Sequence, residues 1–162
     1  MCIRDRFIKE FPNLKSLAKS SDHKILKNWE GLGYYSRARN LKKTAIKLLK
    51  DYKGELPEDI ETLKSLPGIG EYTSRSILAI AHNKPYIPMD GNVERILKRV
   101  FLLKTDYEIS KENLNKKKSF FRFSKRSSDY AQAIMEIGAL ICKPSLPYCF
   151  RCPLTQNCKS YK

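Results

Sequence analysis

Leu66-Pro67-Gly68-Ile69-Gly70 decides how this chain folds. The stretch lies between two short segments of helical period. Pro57, Glu58 and Asp59 open the first segment, since proline suits a first helical turn and acidic residues suit the positive end of a helix. That segment carries Ile60, Leu63 and Leu66 and stops at Pro67-Gly68; the next begins near Glu71 and carries Ile77, Leu78, Ile80 and Ala81. The two glycines permit positive φ and leave backbone N–H groups uncovered. Because the following helix aims its N-terminus the same way, amides and helix dipole converge on one point where an anion such as a DNA phosphate fits. Such contacts fix position on DNA without reading its sequence. An isolated turn of this kind reads as a helix–helix connection with a glycine stop. Two flanking helices and a basic chain favour the anion-gripping reading.

The surrounding segments are helical as well. Leu41, Ala45, Ile46, Leu48 and Leu49 recur at three- and four-residue steps among Lys42, Lys43, Lys47 and Lys50, which predicts an amphipathic helix from about Ser36 to Asp51. A further helix follows Asp90 with Val93, Ile96, Leu97, Val100 and Phe101, and a last one spans about Asp129 to Ile141. Strand alternation of useful length is absent, and the prolines of Tyr86-Ile87-Pro88-Met89 make that stretch an extended connector. The expected fold class is all-α, with no internal repeats. Lys116-Lys117-Lys118 is the only charge run, a solvated or phosphate-facing surface.

Composition narrows the partners. Lys and Arg outnumber Asp and Glu by 32 to 17 over 162 residues, giving a net charge of +15. A basic folded chain attracts polyanions and releases their counterions, and nucleic acid is the commonest such partner. No apolar run approaches the roughly 18 to 20 residues that span a bilayer, so no membrane partner is expected. Arg4, Asp5 and Arg6 stand where an export signal needs an apolar stretch. The expected location is cytoplasmic, associated with the nucleoid.

Two further places carry chemistry. In Met89-Asp90-Gly91-Asn92-Val93 a carboxylate stands at the mouth of a helix, the position of an N-cap. Capping hydrogen bonds and the helix dipole favour the anion, which a glycosidic cleavage with an oxocarbenium-like transition state needs nearby. Cys142-x6-Cys149-x2-Cys152-x5-Cys158 gathers four of the five cysteines, with Pro144, Pro147 and Pro153 among them and Cys2 apart. In a cytosolic chain such a cluster is a metal site before it is a disulfide framework. Four thiolates suit a [4Fe-4S] cluster or a structural zinc. Only the middle pair has the Cys-x2-Cys spacing of zinc ribbons, which favours iron–sulfur. His23 and His82 are distant in sequence and read as ordinary surface or core residues.

Taken together these residues resemble the endonuclease III superfamily, in which a helix-hairpin-helix precedes a Gly/Pro-rich loop and a catalytic Asp. The hairpin element corresponds to about residues 58–82, and the cysteine spacing is similar to that family's cluster signature. Within it, Trp29-Glu30-Gly31-Leu32-Gly33-Tyr34-Tyr35-Ser36-Arg37-Ala38-Arg39-Asn40-Leu41 looks like the adenine DNA glycosylase branch. So do Met89 to Val93 and Ile137-Gly138-Ala139-Leu140-Ile141-Cys142. The resemblance implies double-stranded DNA as partner, with an adenine opposite 8-oxoguanine or guanine flipped out and hydrolysed by a monomer. It implies Asp90 as the catalytic anion and a [4Fe-4S] cluster on Cys142, Cys149, Cys152 and Cys158. Leu66, Gly68, Ile69, Gly70, Thr73 and Asn92 would meet DNA. Lys143 and Arg151, with Lys159, would add phosphate contacts from the cluster loop, while Glu94 stands where relatives often carry a cation. Bifunctional relatives have a lysine at the position of Tyr72, and a phenol forms no Schiff base, so a monofunctional glycosylase is implied with Tyr72 in a supporting role.

The resemblance covers about Phe7 to Ser160, which sets out a helical core at residues 7–141, a cluster loop at 142–158 and a non-family start at 1–6. The family's preceding segment, with a glutamate that protonates the leaving adenine, and its C-terminal 8-oxoguanine-reading domain have no counterpart here. The 162-residue chain is therefore expected to be inactive alone. Two rival readings are a bifunctional endonuclease III-like lyase and a non-catalytic helix-hairpin-helix DNA-binding module.

Overall fold

The computed structural model describes residues 2–104 and 125–161. Among the described residues every regular element is helical and none is a strand, in agreement with the all-α expectation. The Lys116-Lys117-Lys118 run lies outside the described residues. The chain divides into two compact units, Met1–Ser74 and Arg75–Lys162.

In the first unit, α1 (Ile3–Glu10), α2 (Leu14–Lys19), α3 (Asp22–Trp29) and α4 (Tyr35–Asp51) surround one apolar core. Phe7, Phe11, Leu17, Ile25, Trp29, Ala38 and Ala45 form it. Phe7 and Trp29 meet edge to face with ring centroids 5.3 Å apart, and the Trp29 indole N–H donates to the Gly33 carbonyl at 3.0 Å. Burying each large side chain contributes roughly 1.5–3 kcal/mol. The three leading helices are too short to show a sequence period, but their caps are plain. Asn13 accepts from the Ser16 amide at 2.9 Å and Ser21 from the Lys24 amide at 3.2 Å. Ile3 to Arg6, set apart by the sequence reading, lie in α1.

The first helix of the hairpin is shorter than its sequence suggests. Asp59 is extended (φ −125, ψ 151) and caps the Thr62 amide, so α5 is only Ile60–Lys64. Pro57 and Glu58 therefore precede the helix instead of forming its first turn. α6 (Glu71–Ile80) begins where expected and carries the chain across the boundary between units.

The second unit is built on α7 (Gly91–Phe101) and α8 (Ser127–Glu136). Val93, Ile96, Leu97 and Val100 form the i, i+3, i+4, i+7 stripe of α7 and bury against Ile87 and Ile134. The helix expected to run to Ile141 changes character after Glu136. Ile137–Ile141 is a π-turn, in which the Cys142 amide reaches back five residues to the Ile137 carbonyl at 2.7 Å. Short 3₁₀ turns at Cys149–Arg151 and Thr155–Asn157 shape the cysteine loop.

Asn83 caps α8 from a distance in sequence. Its backbone is left-handed (φ 50), its Oδ1 accepts from the Ser128 amide at 2.9 Å, and its Nδ2 donates to the Lys125 carbonyl at 2.6 Å. Asn83→Ala removes both bonds and should lower unfolding stability by about 1–2 kcal/mol. A denaturant titration with reduced midpoint and unchanged slope is the expected result.

Candidate nucleic-acid interface and metal centre

The hairpin rests on one face of α4. Thr44 Oγ1 donates to the Pro67 carbonyl at 2.8 Å and Lys47 Nζ to the Ser65 carbonyl at 3.1 Å. Asn40, Thr44 and Lys47 are spaced i, i+4, i+7, so one helical face supplies all three contacts. Gly68 has φ +77, and a Cβ there would stand 2.7 Å from Asn40 Cβ. Gly68 is thus required twice, by its dihedral and by its neighbour. The second glycine corrects the sequence reading. Gly70 does not take a positive φ, and a Cβ built on it meets nothing within 4 Å. Its carbonyl accepts the Ser74 amide at 2.9 Å and opens α6, leaving exposed backbone with no side chain over it.

The other hairpin candidates separate by burial. Leu66 is 2% exposed and belongs to the core, so it offers DNA no side-chain surface. The Ile69 amide already donates to the Leu66 carbonyl at 3.2 Å. Thr73 is half-buried in the first turn of α6 and Tyr72 is exposed beside it.

Asp90 is the N-cap of α7, as its sequence position predicts. Oδ1 accepts the Val93 amide at 2.7 Å and Oδ2 accepts Asn92 Nδ2 at 3.2 Å. Asn92, expected to touch DNA, commits its amide inside the protein, since its Oδ1 also accepts Arg95 Nη2 at 2.8 Å. Arg95 then donates to the Gly138 carbonyl at 2.7 Å and the Cys142 carbonyl at 2.8 Å. Gly138 leaves room for this: a Cβ there would stand 2.6 Å from Asn92 Cβ. A continuous hydrogen-bonded path therefore joins the carboxylate to the first cysteine. Glu94 pairs with Lys98 at 2.7 Å, one turn along the same helix.

Cys142, Cys149, Cys152 and Cys158 line a single cavity of about 170 Å³ together with Ile96, Arg99 and Leu154. Cys142 and Cys158 also pack on the apolar core of the unit. Burial pushes the Cys152 thiol up; the Leu154 amide opposes this, while the neighbouring sulfurs of Cys142, Cys158 and Cys149 add to the rise. The other three sulfurs thus all bear on Cys152. Among the described residues no three His, Cys, Asp or Glu side chains are drawn together tightly enough for a single metal ion. Lys143 Nζ lies 4.7 Å from the Tyr148 ring centroid, and Arg151 and Lys159 are exposed on the loop.

Sequence reasoning missed Arg95, Arg99 and Gly138. Two arginines four residues apart, flanking an apolar stripe and followed by a thiolate cluster, were the available signal.

Residues 1–119 match the family model described as HhH-GPD superfamily base excision DNA repair protein. Residues 1–6 fall inside that span. An adenine DNA glycosylase of Buchnera aphidicola subsp. Baizongia pistaciae is 39% identical over 156 residues, covering 96% of this chain and 44% of the relative. An adenine DNA glycosylase of Mus musculus is 36% identical over 160 residues, covering 97% of this chain and 31% of the relative. The chain spans less than half the length of these relatives. A solved thermostable thymine-DNA glycosylase matches with a TM-score of 0.83 at 27% identity, covering 98% of this chain and 74% of that one. A non-covalent endonuclease III–DNA complex matches with a TM-score of 0.77 at 26% identity, with the same coverage.

The two hairpin glycines should respond differently to alanine. Gly68→Ala should cost about 1–3 kcal/mol of stability, because it forces a strained backbone against Asn40. Gly70→Ala should stay within about 0.5 kcal/mol while weakening duplex DNA binding. Thermal melts and fluorescence anisotropy on both variants test this, and equal stability losses would refute it.

Proposed function

The chain belongs to the HhH-GPD superfamily of base excision DNA repair proteins, and on that footing we propose that it acts as an adenine-specific DNA glycosylase. Its substrate is adenine opposite 8-oxoguanine or guanine in double-stranded DNA, and the reaction is hydrolysis of the N-glycosidic bond after the base is flipped out. One observation carries the chemistry. Asp90 holds both carboxylate oxygens in hydrogen bonds at the N-terminus of α7, the arrangement that presents a fixed anion to a sugar acquiring positive charge. The base assignment is supported by the relatives named adenine DNA glycosylase, at 39% and 36% identity, against 27% for the structural neighbour named for thymine.

The other parts take supporting roles. Backbone around Gly68 and Gly70 grips a phosphate, with Thr73 beside it. Tyr72 supplies no amine, so the strand is left uncut and the sugar abasic. Lys143 and Arg151 add phosphate contacts from the loop. Cys142, Cys149, Cys152 and Cys158 would hold a [4Fe-4S] cluster, a reading supported by the four thiols lining one cavity. When bound, the cluster ties the loop into one rigid piece. Residues 7–141 then form the helical core and 142–158 the cluster loop of a monomer working on cytoplasmic nucleoid DNA. No helix among the described residues is long and apolar enough to cross a membrane.

Single-turnover adenine release from a duplex with one 8-oxoguanine:adenine pair tests this reading in the protein that carries the chain. Asp90→Asn should lower the rate by about 10³-fold with duplex affinity nearly unchanged. Borohydride should trap no protein–DNA adduct; an adduct would establish the lyase, and an Asp90→Asn variant of full activity would leave only a binding module. Replacing Lys143 and Arg151 together by Ala should flatten the salt dependence of binding by about one to two phosphate contacts.

A further inference from the structure

Arg99 stands one turn beyond Arg95 on α7, and the chemistry assigned to Asp90 does not use it. Its guanidinium reaches the start of the cysteine loop. Nη1 donates to the Lys143 carbonyl at 2.7 Å and to Cys142 Sγ at 3.3 Å, and Nη2 donates to the Pro144 carbonyl at 2.8 Å. Its backbone carbonyl receives the end of the same loop. Ser160 Oγ donates to it at 2.7 Å, the Ser160 amide at 3.1 Å and the Cys158 thiol at 3.7 Å. The Val100 carbonyl takes the Lys159 amide at 3.0 Å. These are carbonyls of the last helical turn, where the regular helical partners run out; at the helix end the Arg99 carbonyl also takes the Leu102 amide at 3.4 Å.

We propose that Arg99 is a positioning residue for the cluster: it pins both ends of the cysteine loop to α7 and directs a cationic N–H donor at the Cys142 sulfur. The proposal rests on the iron–sulfur reading given above. Its physical content has two parts. A guanidinium stays protonated at any working pH, and a half-buried one is screened less than a surface charge. A positive donor on a ligand sulfur stabilises the extra negative charge of the more reduced cluster. Arg95 differs, because it reaches the carbonyl of Cys142 and not the sulfur.

The test uses the full chain purified without oxygen, as wild type, Arg99→Gln and Arg99→Lys. Iron and sulfide content, the rate of bleaching by a chelator, the midpoint potential and far-ultraviolet circular dichroism are measured on each. Wild type without iron and sulfide would remove the cofactor reading, and this proposal with it. Given a loaded wild type, Arg99→Gln should bleach about tenfold faster or more and show a more negative potential. Arg99→Lys should keep the potential close to wild type, since the charge remains, yet bleach faster because one ammonium cannot span three acceptors. A Gln variant with native helicity and no cluster also supports the pinning role. A loaded Gln variant with wild-type bleaching and potential overturns the proposal. If that variant loses its helicity, the Lys variant decides, and bleaching at the wild-type rate overturns it.

Discussion

The second unit depends on what α7 does along its length. Its buried stripe, Val93, Ile96, Leu97 and Val100, fixes the helix in the core. With that face anchored, the first turn holds Asp90 at a set point, and the flank turns Arg95 and Arg99 toward the cysteine loop. The last carbonyls then receive the far end of that loop. A helix that slid by one residue would misplace all three at once, because a turn of 3.6 residues ties every face to every other.

The polar contacts on α7 also explain the π-turn. An ordinary helix through Ile137–Ile141 would keep its carbonyls for its own amides. Widening the turn lets the Gly138 carbonyl accept from Arg95, and the missing side chain of Gly138 lets Asn92 come close. π-turns recur at functional sites for this kind of reason. Here the widened turn sits between Asp90 and Cys142, so neither can be repacked without the other.

How much of this was legible depends on range. The α7 stripe and the capping Asp90 are local patterns that the structure places where the pattern says, and the four spaced cysteines line one cavity. The three N-terminal helices escaped because six or eight residues hold too few turns for a period, although Asn13 and Ser21 marked two of their starts. The roles of Arg95, Arg99 and Asn83 were hardly legible, and the pairing of the two arginines beside the apolar stripe gave only a faint signal. Their partners lie more than forty residues away in sequence, and nothing in a linear pattern ties them together. Gly68 and Gly70 look alike in the sequence, yet only contact with α4 tells which of them needs a left-handed backbone. Leu66 and Asn92 were expected at DNA from the family resemblance; the structure buries the Leu66 side chain and engages the Asn92 amide within the protein, which no local pattern announces.

The long reach of those contacts bears on how the protein is made. As the polypeptide leaves the ribosome, α7 emerges well before the cysteines that its arginines will hold, and its last carbonyls wait longer still for Ser160. Distant pairings of this sort close late, after the loop entropy between them has been overcome. The nascent second unit therefore passes through a stage with its thiols present and its guanidinium clamps unfilled.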